Sequence, residues 1–350
     1  MPLKEALVAY WGCPFPDHTA QDLEDMARSG VTTLVLWVTE FDTRFLPYAK
    51  IAPTLKKARD LGLKVLVDLW GFGNLFCHNA RISEFAQEHP ETWQVGSDGK
   101  PTPTCCINHP HLQEWLDHQI QEFHHRFQVD GYLWDEVHYD SRGWPQVWHC
   151  RCPTCQQHYQ EQYGTPMPQT LTPQVAEFRK AAMVQFIRHL CQTVKALDPR
   201  LETHICLYPE DWTPSRFGTE DWEAIAQIPE LDVLGTDPYW IGIADRLGVD
   251  ESPYRLQEDE TFEEHIGRFV NKVVRLAHTH NKRSAVWVQA CCIPQGREHE
   301  VYQAVKIVEA RGADIVGAWS YRDYGFLNPS HNPEEVWRHL TRGFREALAR

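Results

Sequence analysis

The sequence predicts a (β/α)₈ barrel, and three observations carry that prediction. Short apolar runs rich in Val, Ile, Leu and aromatic residues alternate with longer amphipathic segments throughout, as in βα repeats around a parallel sheet. Eight such pairs can be marked, the number that closes a barrel. Gly or Asp-Pro punctuation follows several helical segments, at Ser29-Gly30, Leu61-Gly62, Asp198-Pro199 and Arg311-Gly312, where a helix must hand over to a strand.

Strands are expected at Ala6–Gly12, Thr32–Glu40, Lys64–Gly71, Val129–Val137, Leu201–Glu210, Leu231–Trp240, Arg283–Pro294 and Ala313–Tyr321. Between them, helical periodicity covers His18–Ser29, Leu46–Leu61, His111–Phe127, Val175–Leu197, Thr261–Thr279, Glu298–Arg311 and Pro333–Leu348. Two connections are long, Gly73–Asn108 after the third strand and Tyr139–Thr172 after the fourth, and both would lie on the catalytic face of a barrel. An open doubly wound sheet would call for G-x-G-x-x-G after an early strand, and Trp70-Gly71-Phe72-Gly73-Asn74 lacks the third glycine. No linker or repeat divides the chain, so one barrel domain over residues 1–350 is the expectation.

The formal charge of −14, from 34 basic and 48 acidic residues, argues against nucleic acid and anionic membrane as partners. No segment has the length and apolarity of a membrane span, and Met1–Tyr10 lacks the features of a signal peptide, so the cytoplasm is the expected location. Fourteen tryptophans suit stacking on sugar faces as well as core filling. Carbohydrate is the expected partner, with self-association of the chain admitted.

Eleven cysteines are an odd number for a disulfide framework, and three form Cys150-x-Cys152-x₂-Cys155. That spacing lets three thiolates converge on one tetrahedral zinc ion. Cys106 is the preferred fourth ligand, with Cys105 and His149 as alternatives, so a zinc-binding loop is expected around residues 105–155. Four thiolates leave no open coordination position, which makes the ion structural. Cys77, Cys206 and the other cysteines are expected to be buried or barrel-lining thiols.

Side chains at the C-terminal ends of barrel strands meet in the active-site mouth. The fourth strand runs into Asp135-Glu136, a carboxylate pair that packing does not explain. Asp237 lies at the end of the sixth strand, Glu210 ends the fifth, Glu40 ends the second and Asp68 precedes Trp70 on the third. Glycosidic cleavage needs one carboxylic acid and one carboxylate on either side of the bond, and this ring supplies both. Glu136 is the expected general acid/base; Asp237, Glu210 and Asp135 compete for the second role, with Asp237 ahead. Trp37, Glu40, Asp68, Trp70, Asn108, His138, Tyr208, Glu210, Tyr239, Trp287, Gln289, Trp319, Tyr321 and Arg322 complete the expected sugar site.

Cys106-Ile107-Asn108 followed by Pro110, a strand ending in an acid pair, and Cys150-x-Cys152-x₂-Cys155 before Tyr163-Gly164 resemble the barrel of glycoside hydrolase family 42, the zinc-containing β-galactosidases. The resemblance implies a structural zinc on Cys106, Cys150, Cys152 and Cys155. It also implies an acid/base role for Glu136, with Asp135 standing where the family has asparagine. The family's strand-seven glutamate nucleophile is matched here by Gln289, in Trp287-Val288-Gln289, and an amide is no nucleophile. A looser likeness to barrel glycosidases with Asp-Gly-x-x-x-Asp-Glu on the fourth strand, and to the α-galactosidase clan, implies the alternative of Asp135 as nucleophile and Asp237 as acid/base.

A metal-dependent amidohydrolase would need His-x-His at the end of the first strand, where this chain has Tyr10-Trp11-Gly12. A non-catalytic carbohydrate-binding barrel is the other competitor, motivated by the missing strand-seven carboxylate.

Overall fold

In the computed structural model, which describes residues 3–77, 83–209, 215–241, 256, 259–323 and 330–349, eight parallel strands close into a barrel. They are β1 (Glu5–Tyr10), β2 (Thr33–Val38), β3 (Lys64–Leu69), β4 (Gly131–Asp135), β5 (Glu202–Leu207), β6 (Val233–Thr236), β7 (Arg283–Gln289) and β8 (Ile315–Trp319). Each pairs with its neighbours in chain order and β8 closes on β1. All eight expected strands are present. Each stops two to five residues before its expected C-terminal end, because there the chain leaves the ladder to build the mouth.

The period-two alternation of the strands divides the apolar residues into two cores. One lies inside the barrel, where Leu7, Ala9, Val35, Trp37, Leu66, Leu133, Cys206, Val233, Ala285, Trp287 and Ile315 pack together. The other lies between the sheet and the helices, with Val8, Leu36, Val67, Trp134, Ile205, Val286 and Val316. Trp287 fits because its neighbour on β8 is Gly317: a Cβ there would fall 2.5 Å from the indole. At the N-terminal end, inward residues of alternate strands form a charged plug: Lys64 bonds Glu202 at 2.5 Å and Glu5 at 3.4 Å, and Arg283 bonds Glu202 at 2.7 Å. The large helices run Pro16–Arg28, Ala52–Asp60, Pro110–Phe127, Pro173–Leu197, Phe262–Thr279, His299–Ala310 and Pro333–Leu348.

Two details depart from the sequence reading. The expected helix Leu46–Leu61 is in fact Glu40–Phe45, a π turn at Pro47–Ile51 and Ala52–Asp60, since Pro47 has no N–H to continue the first segment. The long connection after β3 holds an antiparallel ribbon, Trp93–Val95 with Pro101–Cys105, around the turn 96–100. Among the described residues no helix is long and apolar enough to cross a membrane.

Candidate active site

The mouth of the barrel is built around four carboxyl groups. Asp68 from β3, Asp135 from β4, Glu136 just beyond it and Asp237 just beyond β6 are all buried, with 0, 7, 8 and 3% of their surface exposed. Alternation along β4 would send Asp135 inward and Glu136 outward. Glu136 instead has a left-handed backbone, φ 47°, and its N–H donates to the Cys206 carbonyl at 3.0 Å, so its side chain also faces the mouth. A non-glycine residue held in that region stores strain of a kind concentrated at functional sites.

The four groups form a connected set. Glu136 shares a side-chain hydrogen bond with Asp237, and the nearby Tyr208 hydroxyl favours its ionised form. The Cys206 thiol, whose residue pairs with Asp135 across the β4–β5 ladder, lies beside both Asp135 and Asp237 and favours their ionised forms. On the other side the Cys77 thiol lies 2.9 Å from Asp135 Oδ2 and 3.8 Å from Asp68 Oδ2. Burial, reinforced by the charges of Asp237 and Asp135, pushes the Glu136 carboxyl well above the ordinary range. Burial and the charge of Asp135 do the same to Asp68. Asp135 is raised by burial only to about 6, because the two thiols stabilise its ionised form. At neutral pH the set therefore contains both an acid and a carboxylate.

Aromatic rings wall this cluster. Trp37 stacks on Trp70 with centroids 5.5 Å apart, and Trp11 meets both edge-on at 5.6 and 4.9 Å. Trp319, Trp287 and Tyr239 belong to the same inner cluster, and Tyr208 stacks on Phe217 at 4.2 Å. His138 is wholly buried behind Glu136, its Nδ1 2.7 Å from the Glu136 carbonyl oxygen, with its ring edge-on to Tyr208 and Phe217. Two cavities, of about 410 and 560 Å³, lie elsewhere, one beside Glu84, His111 and Trp115 and the other beside His299 and His339.

Several expected site residues are engaged elsewhere. Gln289 is fully buried: its amide oxygen accepts from the Trp240 and Ile241 N–H groups at 3.1 and 3.0 Å, and its NH₂ donates to the Ile241 and Cys291 carbonyls at 3.1 and 3.2 Å. The residue at the strand-seven position is thus a clasp on the backbone after β6. The Glu40 carboxylate accepts from Ser83 Oγ at 2.5 Å and the Phe85 N–H at 2.7 Å, pinning the chain beyond β3. Asn108 donates to Cys155 Sγ at 3.3 Å and belongs to the cysteine cluster. Beyond β8 the chain turns outward, so Tyr321 packs edge-on against Tyr10 and Trp337. Arg322 pairs with Asp25 and Glu334, each at 3.0 Å, away from the mouth. Glu210 lies outside the described residues. Cys77, Cys206, Trp11 and Phe217 were not singled out for the site by the sequence reading.

The second candidate site is the thiol cluster. Cys106, Cys150, Cys152 and Cys155 are buried with their sulfurs within 4.8 Å of one another. Cys106 Sγ is 3.4 Å from Cys155 Sγ and 3.5 Å from Cys152 Sγ, too far for a disulfide and near the roughly 3.8 Å of sulfurs around a tetrahedral ion. The Cys152 N–H points at Cys150 Sγ from 3.4 Å, the outer-sphere contact that thiolate ligands favour. This buried set could bind a metal ion. Cys105, by contrast, bonds Thr92 Oγ1 at 3.2 Å and its thiol is pushed up by burial to about 12. Cys106 follows directly on the ribbon, while Cys150 and Cys152 lead into the helix Pro153–Tyr163 and Cys155 lies in its first turn, so the cluster ties together the excursions after β3 and β4.

No family model and no curated protein matches the chain. Solved structures do. A polyextremophilic β-galactosidase from the Antarctic haloarchaeon Halorubrum lacusprofundi aligns over 98% of this chain and 58% of its own, with TM-score 0.73 and 13% identity. A cold-adapted β-galactosidase from Rahnella sp. R3 aligns over 100% of this chain and 56% of its own, with TM-score 0.70 and 14% identity. The catalytic domain of β-amylase from Paenibacillus polymyxa gives TM-score 0.68 at 11% identity over 97% of this chain and 98% of that one. At such identities the likeness establishes the barrel fold. The chain spans a little under three fifths of the length of the two β-galactosidases.

Proposed function

We propose that the protein is a glycoside hydrolase in which Glu136, sharing a proton with Asp237, is the general acid/base and Asp135 the attacking carboxylate. The carrying observation is the contact between the Glu136 and Asp237 side chains beside an Asp135 that ionises near 6. Two touching carboxyls cannot both ionise cheaply, so the pair keeps a proton that a leaving oxygen can take. The two catalytic groups of a retaining glycosidase stand about 5 Å apart, farther than hydrogen-bonded carboxyls, so the Glu136–Asp237 contact fits a shared proton better than a nucleophile facing its acid. In the first step Glu136 protonates the glycosidic oxygen as Asp135 attacks the anomeric carbon, releasing the alcohol. In the second, water donates a proton to Glu136 and displaces Asp135, restoring both groups. The indole faces of Trp37, Trp70 and Trp319 would supply the stacking surface for the sugar.

The solved glycosidases with this fold support the reading, as does the cysteine cluster, to which we assign one zinc ion. Bound zinc would be held by four thiolates and would brace the two loops, with Cys106, Cys150, Cys152 and Cys155 filling every position.

The test is leaving-group dependence in two isosteric variants. Glu136→Gln should lose most activity on alkyl glycosides and far less on dinitrophenyl glycosides, whose leaving group needs no proton, whereas Asp135→Asn should fail on both. Equal loss in both variants with both leaving groups would refute the assignment, and inertness of the folded wild-type protein across an aryl glycoside panel would refute the function.

A further inference from the structure

The two ends of the barrel treat charge in opposite ways. In the N-terminal plug two acids, Glu5 and Glu202, meet two bases, Lys64 and Arg283, and Glu202 also accepts from His204 at 2.8 Å. Burial opposes ionisation there, yet His204, Lys64 and Arg283 hold Glu202 well below the ordinary carboxylate range. In the mouth four carboxyls meet one another, two thiols and a phenol, and no lysine or arginine is among the groups that act most on them. The Asp68 carboxyl is completely buried, and its Oδ1 has no hydrogen-bond partner among the described residues. The same holds for the indole N–H groups of Trp37 and Trp70, both more than nine-tenths buried. An unmatched buried carboxylate oxygen is costly and asks for a donor or a cation.

We propose that the sugar recognised in this mouth is a protonated amino sugar, whose ammonium group is received by Asp68 and Asp135 between the faces of the tryptophans. The proposal rests on the glycosidase reading and names its substrate class. An ammonium would donate to the unmatched Asp68 oxygen and let Asp68 and Asp135 ionise, as the bases of the plug do for Glu202. The indole faces attract an organic cation but offer a metal ion no lone pair, so they favour an ammonium over a bare divalent ion. The free N–H groups of Trp37 and Trp70 are donors suited to ring hydroxyls.

Calorimetry on the full chain with its thiol-bound ion, at neutral pH, tests the proposal. The probes are 2-amino-2-deoxy and 6-amino-6-deoxy hexoses, their N-acetyl derivatives and the parent hexoses. An amino sugar should bind about tenfold or more tightly than its parent, acetylation should abolish the preference, and Asp68→Asn should reduce it several-fold. Because Asp68→Asn could misfold, the wild-type ratio stands as a separate criterion. Equal or weaker binding of every amino sugar overturns the proposal, and so does a second equivalent of divalent metal that is lost in Asp68→Asn. Cleavage of neutral glycosides without preference would sink this inference and leave the glycosidase reading standing. Tight amino-sugar binding with no cleavage of any glycoside would sink the glycosidase reading and leave the recognition chemistry intact.

Discussion

Replacing Asp135 by asparagine should stabilise the fold, and by an amount that depends on pH. Burial lifts the Asp135 carboxyl from an ordinary 3.8 to about 6 in the folded chain. A carboxyl whose folded value is raised contributes stability that is fully present below the unfolded value. That contribution is lost as pH rises through the folded value, because the unfolded state gives up its proton first. The rise from 3.8 to about 6, at about 1.4 kcal/mol per pH unit, corresponds to about 3 kcal/mol lost between pH 4 and pH 7. Asparagine keeps an acceptor for the thiols of Cys77 and Cys206 and cannot ionise, so it escapes this loss. Urea titrations of wild type and Asp135→Asn at pH 4 and pH 7.5 measure the difference directly. The variant should gain about 2–3 kcal/mol on the wild type at the higher pH relative to the lower, with the denaturant slope unchanged. An identical stability difference at both values would show that Asp135 titrates as an ordinary exposed carboxylate, and the reasoning about its environment would fail.

Three further outcomes follow from geometry. Gly317→Ala places a methyl 2.5 Å from the Trp287 indole and should cost about 1–3 kcal/mol in urea unfolding; an unchanged midpoint would mean the barrel interior is looser than described. Gln289→Glu, which restores a strand-seven carboxylate in sequence terms, removes the amide donors to the Ile241 and Cys291 carbonyls. It should destabilise by about 1–3 kcal/mol without raising glycosidase turnover, and a gain in turnover would place this position in the catalytic set after all. Cys106→Ser should lower bound zinc from about one equivalent to none by elemental analysis and weaken the loops after β3 and β4 to proteolysis; retention of stoichiometric zinc would transfer the fourth ligand elsewhere.

The barrel was readable from the sequence because its strands are short apolar runs set between amphipathic segments, several of which end on Gly or Asp-Pro, all local signals. One rule, that strand ends carry the site, picked out Asp68, Asp135, Glu136 and Asp237, which the structure brings together in the mouth, and also Gln289, Tyr321 and Arg322, which it engages elsewhere. It fails at those positions for two different reasons. Gln289 faces a backbone segment whose N–H and C=O groups saturate its amide, and no sequence pattern announces such a clasp. Tyr321 and Arg322 lie past the end of β8, where Arg322 has φ 46° and the chain turns away from the mouth. Glu40 is claimed by N–H groups more than thirty residues later, a tertiary contact invisible to local reading. Cys77 had no periodic signal, whereas Cys206 did: it sits two residues before Tyr208 on the inward face of β5. The ribbon at Trp93–Val95 is three residues long, below the length at which alternation can be seen.

The sign of the electrostatics separates the carboxylates that brace the N-terminal end of this barrel from those gathered in its mouth. Glu202 and Asp314 are buried to different degrees and both lie well below the ordinary range, because His204, Lys64 and Arg283 serve the first and Lys4, Ser284 and His278 the second. Ionised at neutral pH, they contribute to stability there. Asp68, Glu136 and Asp237 lie well above the ordinary range and Asp135 above it, so the same eight strands carry a destabilising set at the opposite end. Packing alone would relieve that cost with a single substitution to asparagine or leucine. A cluster that destabilises the fold, holds Glu136 in a left-handed backbone and leaves Asp68 Oδ1 without a partner among the described residues is what the proposed ligand-binding mouth calls for, and each of those three features is removable by one mutation whose effects on stability and on ligand binding should have opposite signs.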